Sequence, residues 1–248
     1  MELHTYALKI AYDGAAFRGW QRQPGQPTAQ EAIEGALASL LGERVRAAGA
    51  ARTDAGVHAA GQVVSFSVRR TLEPARLAAL PLPDGLRVVA AAAAPRSFHA
   101  RASAAGKRYR YRFAWGPPDP GAFHLGAAPP DWSRARAALE RLRGLPHLAG
   151  LGSPSTGRSP APPLDEWTLE VEPPAAVLTV RARSFRKHEV RNLAGHLAAV
   201  ALGLAAPESL EQLARGHRPW RGATAPAHGL TLVEVLYPED VDPFLGPG

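Results

Sequence analysis

Seven residues, Lys107-Arg108-Tyr109-Arg110-Tyr111-Arg112-Phe113, alternate without a break. In an extended chain successive side chains point to opposite faces. Lys107, Tyr109, Tyr111 and Phe113 therefore share one face, and Arg108, Arg110 and Arg112 the other. A strand with one aromatic and one cationic face belongs in a sheet packed on one side and wet on the other, the habit of antiparallel sheets. The same half-buried alternation runs through His4–Tyr12, and strands are also expected over 45–49, 62–68, 86–94, 166–172, 177–183 and 230–237.

The helix signals between these strands are local. Thr28 and Glu31 form an S/T-x-x-E capping box ahead of an apolar stripe at Ile33, Leu37, Leu40 and Leu41, and Gly42 ends the helix. Further helices are expected over 74–80, 133–143, 188–204 and 209–215. Each half combines strands with one or two packed helices. The expected architecture is α+β: two similar lobes, residues 1–115 and 116–248, with antiparallel sheets flanked by helices and an active-site cleft between them. The Gly-, Pro- and Ser-rich stretch 145–163 reads as mobile.

The chain carries 29 Lys and Arg against 22 Asp and Glu, a net charge of +7, and 26 of those cations are arginine. The guanidinium fork grips phosphate at two points, so a nucleic acid becomes a candidate partner, although arginine abundance also follows from coding bias. Clustering is more telling. Residues 101–112 hold Arg101, Lys107, Arg108, Arg110 and Arg112 with no acid, and 181–191 hold five cations opposed only by Glu189. With no cysteine there is neither a disulfide nor a thiolate metal site. The nine histidines fall in no ligand spacing, and neither a P-loop nor G-x-G-x-x-G occurs, so no metal and no cofactor are expected. The absence of a long apolar run argues against export or membrane spanning and for a cytoplasmic location.

Chemistry is left to an acid in a cationic setting. Asp54 follows Arg52 by two positions, so in extended chain both side chains lie on one side, and a guanidinium there would hold the carboxylate ionised. An ionised carboxylate serves as nucleophile or base. An Asp two residues before Gly56 is also ordinary turn chemistry.

The stretch Arg52-Thr53-Asp54-Ala55-Gly56-Val57-His58-Ala59, followed by Gly61-Gln62-Val63-Val64, resembles the catalytic motif of the TruA family of tRNA pseudouridine synthases. The resemblance extends to Tyr12-Asp13-Gly14 and Gly19-Trp20-Gln21-Arg22-Gln23 upstream. Downstream it takes in Phe98-His99-Ala100-Arg101, Lys107-Arg108-Tyr109-Arg110-Tyr111, Val190-Arg191-Asn192-Leu193-Ala194-Gly195 and Gly229-Leu230. It implies an isomerase that converts uridine to pseudouridine at positions 38, 39 and 40 of the tRNA anticodon stem-loop, with Asp54 catalytic, a flipped-out base and no cofactor. It also implies that Arg52 helps extrude the base, that Tyr109 stacks on it, and that Arg191 pairs with the aspartate from the second lobe. Residues 98–101 would contact RNA, as Arg108, Arg110 and Arg112 could, residues 20–23 would organise the wall behind the catalytic turn, and the protein would be a homodimer.

Three departures from the family pattern stand out. Ala51 replaces a usual glycine, Arg186-Lys187-His188-Glu189 replaces a more aromatic and His-Met-like approach to the Val-Arg pair, and the 145–163 stretch lacks an Asp-Phe-Thr-Ser-Phe-like run. Two other readings stay open from the residues alone. Strands bearing Tyr109, Tyr111 and Phe113 resemble the stacking platforms of a non-catalytic RNA chaperone, and Asp54 would also suit an aspartate-dependent hydrolase of nucleic acid.

Overall fold

The computed structural model describes residues 2–153, 161–217 and 222–245. The elements run β1 (His4–Tyr12), α1 (Ala29–Leu41), β2 (Ala48–Gly49), β3 (His58–Val68), α2 (Pro74–Ala78), β4 (Leu86–Ala94), β5 (Gly106–Ala114), β6 (Phe123–His124), α3 (Trp132–Glu140), β7 (Glu166–Glu172), β8 (Ala175–Ala182), α4 (Glu189–Ala201), α5 (Glu208–Ala214) and β9 (Leu230–Leu236). Every expected helix and strand is present, with ends differing by a few residues. The fold is α+β, built on mostly antiparallel sheet flanked by helices.

The chain divides into two compact units, Met1–Lys107 with Thr231–Gly248, and Arg108–Leu230. The sequence reading gave residues 116–248 to the second lobe. In the structure the last strand returns to the first unit, because β9 pairs in parallel with β3 through His58 opposite Thr231 and Ala59 opposite Leu232. No local pattern in 231–236 signals a pairing so distant in sequence.

In the first unit the strand order is β4-β1-β3-β9, with β2 alongside β3. The central strand β1 pairs antiparallel with β3 and β4. Its Ala7, Leu8 and Ile10 are fully buried, as are Val63 and Val64 of β3. Helix α1 is capped as expected: the Thr28 hydroxyl accepts from the Glu31 amide at 3.4 Å, and Gly42 closes it at φ +73°. The expected strand over 45–49 shrinks to Ala48–Gly49, the two residues that pair with Ser65 and Val64 of β3.

The second unit orders β5-β8-β7, with β6 beside β5, and helix α3 packs on α4 and α5. The alternation in β5 is realised: Tyr109, Tyr111 and Phe113 are buried, whereas Arg110 and Arg112 are exposed. Phe113 packs on Tyr111 and Trp132 with ring centroids 4.9 and 5.0 Å away, which makes an aromatic core for this unit. Of the stretch read as mobile, residues 154–160 lie outside the described residues. The flanking part is tied down, with the Leu148 amide on the Ala161 carbonyl (3.1 Å) and the Ser153 amide on the Lys187 carbonyl (2.9 Å).

Candidate active site

Arg52 and Asp54 stand on one turn of the first unit, and the turn is built from buried hydrogen bonds. Arg52 is exposed, yet its neighbours Ala51 and Thr53 are buried at 6% and 8% exposure. The carboxamide of Gln62, itself fully buried, accepts from the Ala51 amide at 3.1 Å and donates to the Ala51 carbonyl at 2.7 Å. The Tyr12 hydroxyl bonds the Thr53 hydroxyl at 2.7 Å, and the Thr53 carbonyl accepts from the Trp20 amide at 3.2 Å. The Val57 amide closes the turn on the Asp54 carbonyl at 3.2 Å, with Gly56 at φ +81°.

Two glycines let the preceding loop approach this closely. A Cβ on Gly14 would lie 2.4 Å from the Val57 carbonyl carbon, and one on Gly19 would lie 2.7 Å from the Thr53 carbonyl oxygen. Burial pushes the Tyr12 hydroxyl up to about 12, against the smaller opposing effect of its bonds to Thr53 and Gln62, so it stays protonated and bonds as a neutral group. Ala51, where the family usually has glycine, is accommodated: among the described residues His188 is the only non-glycine with positive φ.

The segment 98–101 splits by burial. Phe98 packs on Tyr237 with ring centroids 5.1 Å apart, and Ala100 is fully buried, its amide on the Ser65 hydroxyl (2.9 Å) and its carbonyl accepting from Tyr237 (2.6 Å). Of these four residues, His99 and Arg101 have exposed side chains.

Tyr109 and Arg191 belong to the second unit. Tyr109 is 7% exposed and meets Phe185 edge to face, with centroids 5.1 Å apart and planes at 87°. Arg191 lies in the first turn of α4, where its Nε donates to the Ala225 carbonyl at 2.8 Å and its own carbonyl accepts the Ala225 amide at 3.2 Å. The Tyr111 hydroxyl donates to the Pro226 carbonyl at 2.8 Å, and burial raises its pKa far above the usual phenol range, so it is a fixed donor. Arg108 pairs with Glu166 at 3.5 Å, while Arg110 is exposed.

The bend before α4 carries the residues that depart from the family pattern. His188 sits in the left-handed region at φ +63°. Its ring nitrogen meets the Ser153 hydroxyl at 2.9 Å. Glu189, 2% exposed, accepts the Arg186 amide on one oxygen at 2.7 Å, and its other oxygen has no partner among the described residues. Burial pushes this carboxyl up to about 7, against smaller opposing effects of the Arg186 amide and guanidinium. Sequence reasoning missed the clamp made by Gln62 and Tyr12. Its one signal is a glutamine amid the apolar residues of a strand otherwise read as core.

Among the described residues no group of three or more His, Cys, Asp or Glu is placed to hold a metal ion. No helix there is long and apolar enough to cross a membrane. The molecule is thus an α+β protein whose Arg-Thr-Asp turn is anchored from behind by Gln62 and Tyr12. The profile of the tRNA pseudouridine synthase family matches residues 9–101 and 154–238, most of the chain, so the chain belongs to that family of isomerases. Arg52, Asp54 and Arg191 fall in the matched ranges, and Tyr109 falls outside them.

Curated relatives named tRNA pseudouridine synthase A agree with this. The chain is 41% identical to the protein of Cereibacter sphaeroides strain ATCC 17025, covering 96% of this chain and 98% of the relative. It is 38% identical to that of Methylacidiphilum infernorum (95% and 96%) and 37% identical to that of Pseudomonas aeruginosa (97% and 89%).

Proposed function

We propose that the protein isomerises uridine to pseudouridine at positions 38, 39 and 40 of the tRNA anticodon stem-loop, with Asp54 as the reacting carboxylate. The N1–C1′ bond breaks, the uracil turns, C5 bonds to C1′, and the proton lost from C5 is balanced by one gained at N1. The rearrangement is redox-neutral and transfers no group to another molecule, so it consumes no oxidant, reductant or group donor. The observation that carries this reading is the turn itself, which exposes Arg52 between two buried, hydrogen-bonded neighbours two residues from Asp54. A paired and stacked base cannot be turned over. The nucleotide must be extruded, at a cost of a few kcal/mol, and Arg52 is placed on the surface to fill the gap it leaves.

Tyr109 stacks on the uracil, and Arg191, with its guanidinium braced by Ala225, binds substrate. His99, Arg101, Arg108 and Arg110 bind the RNA, with Phe98 and Ala100 shaping their segment from inside. Binding is then salt-dependent, since neutralising phosphates releases counterions. The enzyme works in the cytoplasm as a homodimer, and light scattering at micromolar concentration checks the dimer.

The test is tritium release from unmodified tRNA bearing C5-tritiated uridine, with pseudouridine mapped by chemical labelling. Release is expected with product in the anticodon stem-loop. Asp54→Asn should lower the rate by on the order of 10⁴-fold while leaving tRNA binding in place. Turnover retained in that variant, or strand scission in place of isomerisation, would sink the reading. Salt-sensitive binding by the wild type without release would favour the chaperone.

A further inference from the structure

Strand β2 pairs with β3 through Ala48 opposite Ser65 and Gly49 opposite Val64, and the ladder runs one residue further, the Ala50 amide bonding the Val63 carbonyl at 2.8 Å. Continuing that register sets Ala51 opposite Gln62. There the main-chain pairing stops and the Gln62 side chain takes over. Its carboxamide presents a carbonyl acceptor and an N–H donor, as a peptide group does, and one of each engages Ala51. The chain thus departs from β3 toward Arg52 with its last peptide still fixed as if in the sheet. The next handle is the Thr53 hydroxyl on Tyr12, followed by the Thr53 carbonyl on the Trp20 amide.

We propose that Gln62 and Tyr12 are positioning residues of the isomerisation: they hold the peptide before Arg52 and the side chain after it, so that Arg52 and Asp54 leave the turn in fixed directions. Neither needs to touch the substrate. Gln62 is fully buried, and Tyr12 is 4% exposed. The peptide joining Arg52 to Asp54's predecessor is short, so slack at either anchor moves both functional side chains. A displacement of about 1 Å at a reacting group costs on the order of 100-fold in rate. This inference rests on the isomerase reading and specifies how its catalytic turn is kept in place.

The experiment measures kcat, tRNA Kd and the melting temperature of the full-length protein carrying Gln62→Leu, Tyr12→Phe, Thr53→Val and Thr53→Ser, each assayed well below its own melting point. Gln62→Leu is expected to lose about 100-fold in kcat, and Tyr12→Phe and Thr53→Val about tenfold, with Kd changed by less than about twofold. Thr53→Ser restores the hydroxyl and should return kcat to within about twofold of the wild type. Wild-type kcat in folded Tyr12→Phe and Thr53→Val overturns the proposal even if Gln62→Leu does not fold. A lowered melting temperature with kcat unchanged does so too, since that is all a merely structural bond would cause. An inactive wild type would instead overturn the isomerase reading.

Discussion

Two bends of this protein carry the candidate site residues, and they are held by opposite means. The turn bearing Arg52 and Asp54 is fixed by neutral groups, a carboxamide, two hydroxyls and peptide bonds, each with its partner in place. The bend leading to Arg191 is fixed by a buried carboxyl with one oxygen satisfied, a left-handed histidine and a serine. The Gln62 and Tyr12 groups do not change charge between pH 5 and 9. The second includes a group that titrates near neutrality. One bend is anchored by neutral groups, and the other by a group that ionises.

The largest break in the comparison is expected from Gly14→Ala. The new methyl would meet main-chain atoms of Gly56 and Val57 at 2.4 to 2.5 Å, and backbone at a closed turn cannot move aside. A loss of about 3 kcal/mol or more is expected in urea unfolding, with kcat falling alongside it. A loss below about 1 kcal/mol would show that the first bend has slack.

Glu189→Gln tests the second bend. Its carboxyl titrates near 7 in the folded protein against an ordinary 4.5, so the folded state keeps a proton that the unfolded chain releases. Stability from this group is therefore full below about pH 4.5, declines as pH rises to about 7, and stays at its lower level above that. Glutamine keeps the acceptor for the Arg186 amide without the charge. It should remove that slope and stabilise the protein at pH 8 by on the order of 3 kcal/mol. Parallel stability-versus-pH curves for wild type and variant would refute the assignment. Ser153→Ala is the smallest change. Losing the 2.9 Å bond to His188 should cost about 1 kcal/mol in thermal melts.

Much of this was legible before the fold. The Thr28 cap, the Gly42 stop and the two faces of β5 follow from residues within a few positions of one another, where periodicity and capping chemistry act directly. The Arg52-Thr53-Asp54 motif was equally plain as a string. Its mechanics were not. Gln62 read as a polar residue in a core strand, and Tyr12 as the end of another, because a side chain's partner across 11 or 41 residues leaves no local trace. The burial of Phe98 and Ala100, within a segment read as facing RNA, depends on Tyr237 at the far end of the chain.

Local periodicity and contiguous motifs were enough for most of the elements, the α+β class and the family. The folded chain settled that β9 returns to the first unit beside β3, that a glutamine side chain takes the place of a strand at Ala51, and that Glu189 is buried with one oxygen on the Arg186 amide. Those outcomes are set by long-range pairing and by the cost of leaving polar groups unsatisfied away from water, and neither is visible until the chain has folded.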